Sequence, residues 1–353
     1  MIVIGIETSC DETSVGIVRD GIDLLACKTA SSMDIHAQYG GVVPELAARE
    51  HIQAITPTLE AAFTQANLTW KDIDAISVTY GAGLGGSLLV GVMTARTLAI
   101  TQHKPLYAVN HVEGHIYANF LTKTGLEGFI LPQKQPEFPL LGLIVSGGHS
   151  QLVIWRDHFE YTLLGQTHDD AIGEAFDKVA KILGLPYPGG PSIAKQAEAG
   201  DPYAYNFPKA KLQAKYDYSY SGVKTAVLRA AQKVIGKDHT FPSFELQHHL
   251  SDMQKADIAA SFQRIAVETV VDKTIQAFEE FQPRSVVIGG GVAASQELRK
   301  QLAERLPVDI EYTDPKLCTD NGAMIATLGF FHIQKGRPAA DPYSLDIKPN
   351  LSM

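Results

Sequence analysis

The feature that most constrains the fold is a pattern that occurs twice. Near the start, an apolar run, Ile2 to Ile6, meets the polar turn ETSCDETS and then a second apolar run, Val15 to Val18. Past the middle, Leu140 to Val145 meets SGGHS and then Gln151 to Trp155. Both read as strand, polar turn, strand. Each half later has a buried strand feeding a glycine-rich loop and a helix. In the first half Ile73 to Tyr80 enters GAGLGGS and a helix to about Gln102. In the second, Ser285 to Ile288 enters GGGVAAS and a helix from about Ser295 to Leu306. A third strand falls at Leu24 to Thr29, and a short one, Leu106 to Val109, leads into a helix bearing HVEGH. Helical periodicity covers Val43 to Gln65, where Pro57 predicts a kink or break.

This repetition predicts two duplicated α/β lobes, with glycine turns facing a nucleotide cleft between them. A chain of 353 residues is too long for one ordinary core and suits two. Thr122 to Pro139, with three prolines, reads as a connector. The expected division is residues 1–108 plus 322–353 for the N-terminal lobe. Residues 109–321 then form a C-terminal lobe carrying a metal site and a basic, tyrosine-rich insert.

Several classes are excluded. With 45% apolar and 20% charged residues the chain is globular, not disordered. No apolar stretch reaches the length of a membrane span, since Arg96 interrupts the best candidate. Neither a signal peptide nor an Arg/Ser-rich import leader is visible at MIVIGIETS. Cys10, Cys27 and Cys318 are far apart and form no CxxC, which fits a reducing cytoplasm. The net charge of −9 argues against a general nucleic-acid coat but permits a local basic patch.

The polar turns are ETSCDETS, GAGLGGS, VSGGHS, YPGGPS and GGGVAAS, and glycine in the last four lets backbone amides approach phosphate oxygens. None is GxxxxGK[ST], so there is no P-loop. GAGLGGS nearly spells GxGxxG but lacks a ribose-binding acid at the right distance.

His111 and His115 form HxxxH, which on a helix places both imidazoles on one face. The HExxH protease motif does not match, because Val112 follows the first histidine and Glu113 points elsewhere. Asp320, in KLCTDNGAM, reads as an acid at a helix N-terminus after a strand. It is the candidate third ligand, with a plain N-cap as the alternative. Asp169, Asp170, Glu174 and Asp177 cluster in THDDAIGEAFDKVAK. They read either as hydroxyl or ribose binders or as a solvated acidic helix start. Lys195 to Lys237 holds eight basic against three acidic residues, with Tyr203, Tyr205, Phe207, Tyr216, Tyr218 and Tyr220 interleaved. Such a stretch neutralises phosphates and stacks on unpaired bases, unless the tyrosines are tucked under a solvated surface.

The combination of ETSCDET, NHVEGH, IVSGGHS, GEAFDKVAK, YPGGP and GGGVAAS resembles the tRNA N6-adenosine threonylcarbamoyltransferase family. In bacteria it is called TsaD, YgjD or Gcp, and it has a relative in the KEOPS complex. The resemblance runs from IGIETSCDETSVGIV to CTDNGAMIA. It implies an actin/hexokinase/Hsp70-like (ASKHA) fold and one metal ion per subunit on His111, His115 and Asp320, with iron placed ahead of zinc. It implies transfer of a threonylcarbamoyl group from threonylcarbamoyl-adenylate to N6 of the adenosine 3′ of the anticodon in ANN-decoding tRNA, with AMP released. It assigns adenylate binding to Ile144, Val145, Ser146, Gly147 and Gly148, and nucleotide contacts to Asp177 and Gly190. Ser295 stands where the family often has Asn, and keeps one hydroxyl for that contact. By the fold analogy Asp11 and Glu12 face the cleft and orient substrate or handle a proton. Implied partners are tRNA, a truncated paralogue (TsaB-type) and a small ATPase (TsaE-type). The helix faces within Val43–Gln65 or Ser87–Thr101 are candidates for the paralogue contact. The rival readings are a small-molecule kinase of the same fold, using Asp169 or Asp170 as base, a metalloprotease, and a non-catalytic subunit of a tRNA-modifying assembly.

Overall fold

The computed structural model describes residues 1–353. The chain forms two compact units. The first comprises Met1–Glu137, Val287–Gly289 and Glu311–Met353, and the second Phe138–Val286 and Gly290–Ile310.

The first unit opens with β1 (Ile2–Glu7), β2 (Glu12–Arg19) and β3 (Asp23–Ser31), an antiparallel meander. α1 (Met33–Ala37) and α2 (Pro44–Ala66) follow. Then come β4 (Ala75–Gly81), α3 (Gly85–Gln102), β5 (Leu106–Asn110), α4 (His111–Tyr117) and the short β6 (Lys123–Thr124). The sheet runs β5-β4-β1-β2-β3-β6, with β4 and β5 parallel to β1. Ile4, Ile6, Val15, Ile17, Ile76 and Val78 pack with Val92 and Ala95 of α3 into one core.

The second unit holds β7 (Leu140–Val145), β8 (Ser150–Asp157) and β9 (Glu160–Gln166), followed by α5 (Ile172–Leu183), α6 (Gly189–Ala197) and α7 (Ser221–Val234). The long α8 (Asp252–Phe281) leads to β10 (Ser285–Gly289), of which Val287–Gly289 is counted with the first unit, and then to α9 (Gln296–Arg305). Its sheet runs β10-β7-β8-β9, with β7 and β9 antiparallel to β8. So each sheet contains the expected hairpin. α10 (Pro315–Cys318) and α11 (Gly322–Gln334) belong to the first unit.

Two expectations are corrected. Pro57 does not break α2, which continues to Ala66. Ile55, Thr58 and Ala62 are buried on both sides of the proline, and that burial outweighs the lost backbone hydrogen bond. The division between units falls at Glu137/Phe138, within the connector, and not at residue 108. The reason is local: β5 runs into α4 without a loop, and α4 packs on α11, so the HVEGH helix stays with the first sheet.

α11 is seated tightly on that sheet. Gly5 and Gly16 are paired across β1 and β2. A Cβ at Gly5 would lie 2.2 Å from the Gly322 carbonyl oxygen, and one at Gly16 2.1 Å from the Ala323 nitrogen. Only glycine admits the helix this closely. The contact fixes where Asp320, two residues before α11, is held.

Candidate metal centre

α4 is only seven residues long, and its start is set by Asn110, whose side chain accepts the Val112 N–H at 2.8 Å. His111 and His115 follow on one face, both buried, with ring centroids 4.7 Å apart and planes at 77°. Asp320 enters from the turn before α11. A short helix, α10, precedes that turn where a strand was expected. Asp320 is not the cap: Asn321 takes that role, accepting the Met324 N–H at 2.9 Å. That leaves the Asp320 carboxylate for the histidines. Its Oδ1 lies 3.5 Å from His111 Nε2 and 3.4 Å from His115 Nε2. The three ligand atoms lie within 4.8 Å of one another. Ligands at about 2.1 Å in a tetrahedron sit about 3.4 Å apart, so the spacing matches a shared ion.

A second carboxylate stands behind the first histidine. Glu7, at the end of β1, is 0% exposed, and its Oε2 lies 3.1 Å from His111 Nδ1. It also accepts the Ser9 N–H and the Thr79 hydroxyl, each at 2.5 Å. Sequence reasoning missed Glu7. The one signal was an acid closing a wholly apolar strand.

The electrostatics describe a centre with excess negative charge. Burial alone would depress His111, but Asp320 and Glu7 outweigh it and lift the imidazolium to about 9. Burial raises Asp320 to about 6, with Glu7 and Asp11 adding to it against the pull of His111. Glu12 is pushed up to about 10, first by burial, then by Asp320 and Asp11. Glu7 is held low: burial opposes this, but His111, Ser9 and Thr79 prevail. Crowded buried carboxylates beside two imidazoles are the donor chemistry of a divalent cation site.

Asp11 lies in the turn joining β1 to β2 and Glu12 is the first residue of β2, both within electrostatic reach of Asp320. The turn is gripped from several sides. His51 of α2 donates Nε2–H to the Cys10 carbonyl at 3.0 Å, and its Nδ1 accepts from Thr13 Oγ1 at 2.7 Å. Ser87 Oγ donates to the Cys10 carbonyl, and Ser32 Oγ donates to the Asp11 carbonyl at 2.8 Å. His36 accepts the Val43 N–H on Nδ1, so its Nε2–H donates to Ser32 Oγ at 3.1 Å.

The second unit holds the other expected residues. Ile144 and Val145 are fully buried, so their side chains serve the core. Ser146 N–H donates to the His149 carbonyl, and Ser146 Oγ accepts the His149 N–H, which closes a tight turn. Gly147 and Gly148 are exposed, with open space around them. Asp177 on α5 accepts the Gly189 N–H at 2.7 Å at the start of α6, beside the open Gly190. Burial raises the Asp177 carboxyl. Ser295 caps α9 by accepting the Leu298 N–H at 3.4 Å, and its hydroxyl proton remains available to donate.

Other candidates prove structural. Asp169 accepts from Ser219, Ser221 and the Tyr220 N–H, which bring its pKa below the usual carboxylate range despite burial. Asp170 pairs with Lys178 and Lys224, and Glu174 with Lys178. In the basic stretch Phe207, Tyr216, Tyr218 and Tyr220 are buried, so they cannot stack on bases. Lys209 pairs with Glu268 and Asp272, and Lys215 with Glu280.

Against this geometry the comparisons with known proteins are decisive. A family model described as TsaD, tRNA N6-adenosine threonylcarbamoyltransferase, matches residues 23–327. The chain belongs to this family. A relative from Thermomicrobium roseum carrying the same description is 48% identical over 360 residues, covering 100% of this chain and 97% of its own. Another, from Desulfitobacterium hafniense, is 46% identical over 355 residues, covering 99% and 97%. Among solved structures, full-length HypF in its phosphate- and nucleotide-bound form aligns at TM-score 0.58 and 12% identity, covering 96% of this chain and 56% of that one. HypF from T. kodakarensis also gives a TM-score of 0.58. The fold is the expected α/β fold of the actin/hexokinase type. No helix of this TsaD family member is long and apolar enough to cross a membrane.

Proposed function

We propose that the chain transfers a threonylcarbamoyl group from threonylcarbamoyl-adenylate to N6 of the adenosine 3′ of the anticodon in ANN-decoding tRNA. Full-length likeness to relatives of that name carries the reading, and the convergence of His111, His115 and Asp320 supports it. The N6 amine attacks the carbamoyl carbon. A C–N bond forms, the mixed-anhydride C–O bond breaks, and AMP leaves with the electron pair.

The donor set fits one metal ion per chain, held by His111, His115 and Asp320. Two imidazoles and one carboxylate with open positions suit iron ahead of zinc. When bound, such an ion polarises and orients substrate oxygens. The rest falls to the chain's own groups. Amides of Gly147 and Gly148 donate to oxygens where charge develops, while Ser146, whose own N–H is held by the His149 carbonyl, shapes the turn with Ile144 and Val145 contributing backbone. Asp177, Gly190 and Ser295 bind the nucleotide. Asp11 or Glu12 orients the substrate or accepts the N6 proton.

Partners follow the same reading. Arg229 and Lys233 on α7 and Lys237 just beyond it are exposed and form no salt bridge. α7 itself contains no acidic residue. They are suited to tRNA phosphates, a role the buried tyrosines cannot share. On α2 and α3, which pack together, Ile52 (64% exposed), Leu89 and Met93 leave apolar surface for a truncated, TsaB-type paralogue. A TsaE-type ATPase and a separate adenylate synthase complete the system. Three free cysteines fit the cytoplasm. A kinase reading loses support because Asp169 and Asp170 are occupied.

The test is a reconstituted reaction: the chain, synthase and partner proteins, threonine, bicarbonate, ATP and an ANN-decoding tRNA, with nucleosides read by mass spectrometry. Threonylcarbamoyl-adenosine is expected. Its absence, with the other components proven active, would refute the reading.

A further inference from the structure

Glu7 is a carboxylate wholly sealed from water, at 0% exposure, and no lysine or arginine pairs with it. Its oxygens meet the Ser9 N–H, the Thr79 hydroxyl and His111 Nδ1. An ionised carboxylate only accepts hydrogen bonds, so His111 Nδ1 must carry a hydrogen. Ser9 Oγ, also 3.1 Å from Nδ1, adds to that side of the ring. The lone pair left on Nε2 then points toward Asp320 Oδ1, where His115 Nε2 also converges.

We propose that Glu7 is a positioning residue for the metal centre, with two effects. It fixes His111 in the orientation and tautomer that present Nε2 to the ion. It also supplies, behind the ligand, a second full negative charge in addition to that of Asp320. This inference rests on the metal reading above. Two neutral imidazoles and Asp320 leave a divalent ion with one positive charge in a buried site, and Glu7 cancels it. Because Glu7 is 0% exposed, water screens its charge less than it screens an exposed carboxylate. Asp11 and Glu12, both half-buried, are less sealed. Carboxylate partners of this kind raise ligand basicity, and their loss costs about 10–100-fold in metal affinity.

Glu7→Gln tests it sharply, because shape is kept while chemistry inverts. The amide oxygen can still accept the Ser9 N–H. The amide NH2 can only donate toward Nδ1, which favours the tautomer with hydrogen on Nε2, the atom the metal needs. Cobalt(II) affinity, measured on the full chain by competition with a chromophoric chelator, should fall about 10–100-fold. Thr79→Val removes one hydrogen bond to Glu7 and keeps its charge, so the loss should be less than about threefold. Zinc-loaded parent protein should show Nδ1–H and a ligated Nε2 on His111 in long-range 1H–15N spectra. This last measurement needs no variant and stands even if Glu7→Gln does not fold. Affinity of Glu7→Gln within twofold of the parent, or His111 ligating through Nδ1, overturns the proposal. A parent that binds no cobalt, or His115→Ala that binds it as tightly as the parent, overturns the metal reading instead.

Discussion

His115 Nε2 and Asp320 Oδ1 lie 3.4 Å apart, although one sits in α4 and the other in the turn before α11. The approach depends on α11 being seated against Gly5 and Gly16. Two ligand atoms at this distance suit one ion about 2.1 Å from each.

Removing Asp320 therefore takes away the one charged ligand. Asp320→Ala is expected to bind less than about a tenth of the parent's metal and to lose at least about 100-fold in transfer. Elemental analysis of the purified chain and nucleoside mass spectrometry check the two effects separately.

Metal affinity should depend on pH in a defined direction. The ion must displace the proton that Asp320 and Glu7 hold on His111, whose pKa is about 9. Below pH 9 each unit of acidification should weaken binding about tenfold, more steeply below about 6, where Asp320 also takes up a proton. Binding titrations between pH 5.5 and about 9.5 read this slope.

Glu12 should cost stability in the metal-free chain. Its carboxyl, at about 10 in the fold, lies far above the unfolded value of about 4.5. A raised carboxyl favours the folded state least once the unfolded chain can ionise. Stability should therefore fall as pH rises from about 4.5 toward 10. Glu12→Gln should flatten that fall and melt higher than the parent at pH 8. Thermal unfolding across pH, with and without metal, measures it.

The acidic turn should loosen when its histidine clamp is removed. His51 is neutral, held below its ordinary pKa by burial, and bridges Thr13 and the Cys10 carbonyl. His51→Phe leaves the Thr13 hydroxyl without its acceptor and the Cys10 carbonyl with Ser87 alone, and should cost about 1–3 kcal/mol, seen in urea unfolding. Transfer should fall more than metal affinity does, since the ligands are untouched.

Charge on α7 should read out as salt dependence. Arg229→Gln, Lys233→Gln and Lys237→Gln combined should lower the slope of log affinity for tRNA against log salt by about 2–3. Lys209→Gln with Lys215→Gln should leave it nearly unchanged, because those lysines are already paired with Glu268, Asp272 and Glu280.

How much of this was legible in the sequence follows from the range of each interaction. The hairpins and glycine loops are local patterns and lie where the strand periodicity puts them. His111 and His115 are one helical turn apart, so their shared face was readable. Asp320 was readable as a candidate, but its freedom to face the histidines depends on Asn321 taking the cap. Glu7 meets His111 across 104 residues, and an acid at a strand end looks the same whether it is solvated or sealed. Tyr216, Tyr218 and Tyr220 suggested a stacking surface, and their burial was decided by tertiary packing that a lysine-rich stretch conceals. Pro57 shows the same limit: local propensity favoured a break, and burial around it kept the helix.

The most direct test of the account is metal-dependent transfer in one preparation. The chain is stripped with a chelator, and threonylcarbamoyl-adenosine is measured in the reconstituted reaction before and after iron(II) or zinc(II) is restored. The same series is run on His111→Ala. The account predicts transfer lost on stripping, restored by a divalent ion in the parent, and not restored in the variant. Full transfer by the stripped parent, or equal restoration in His111→Ala, would contradict it.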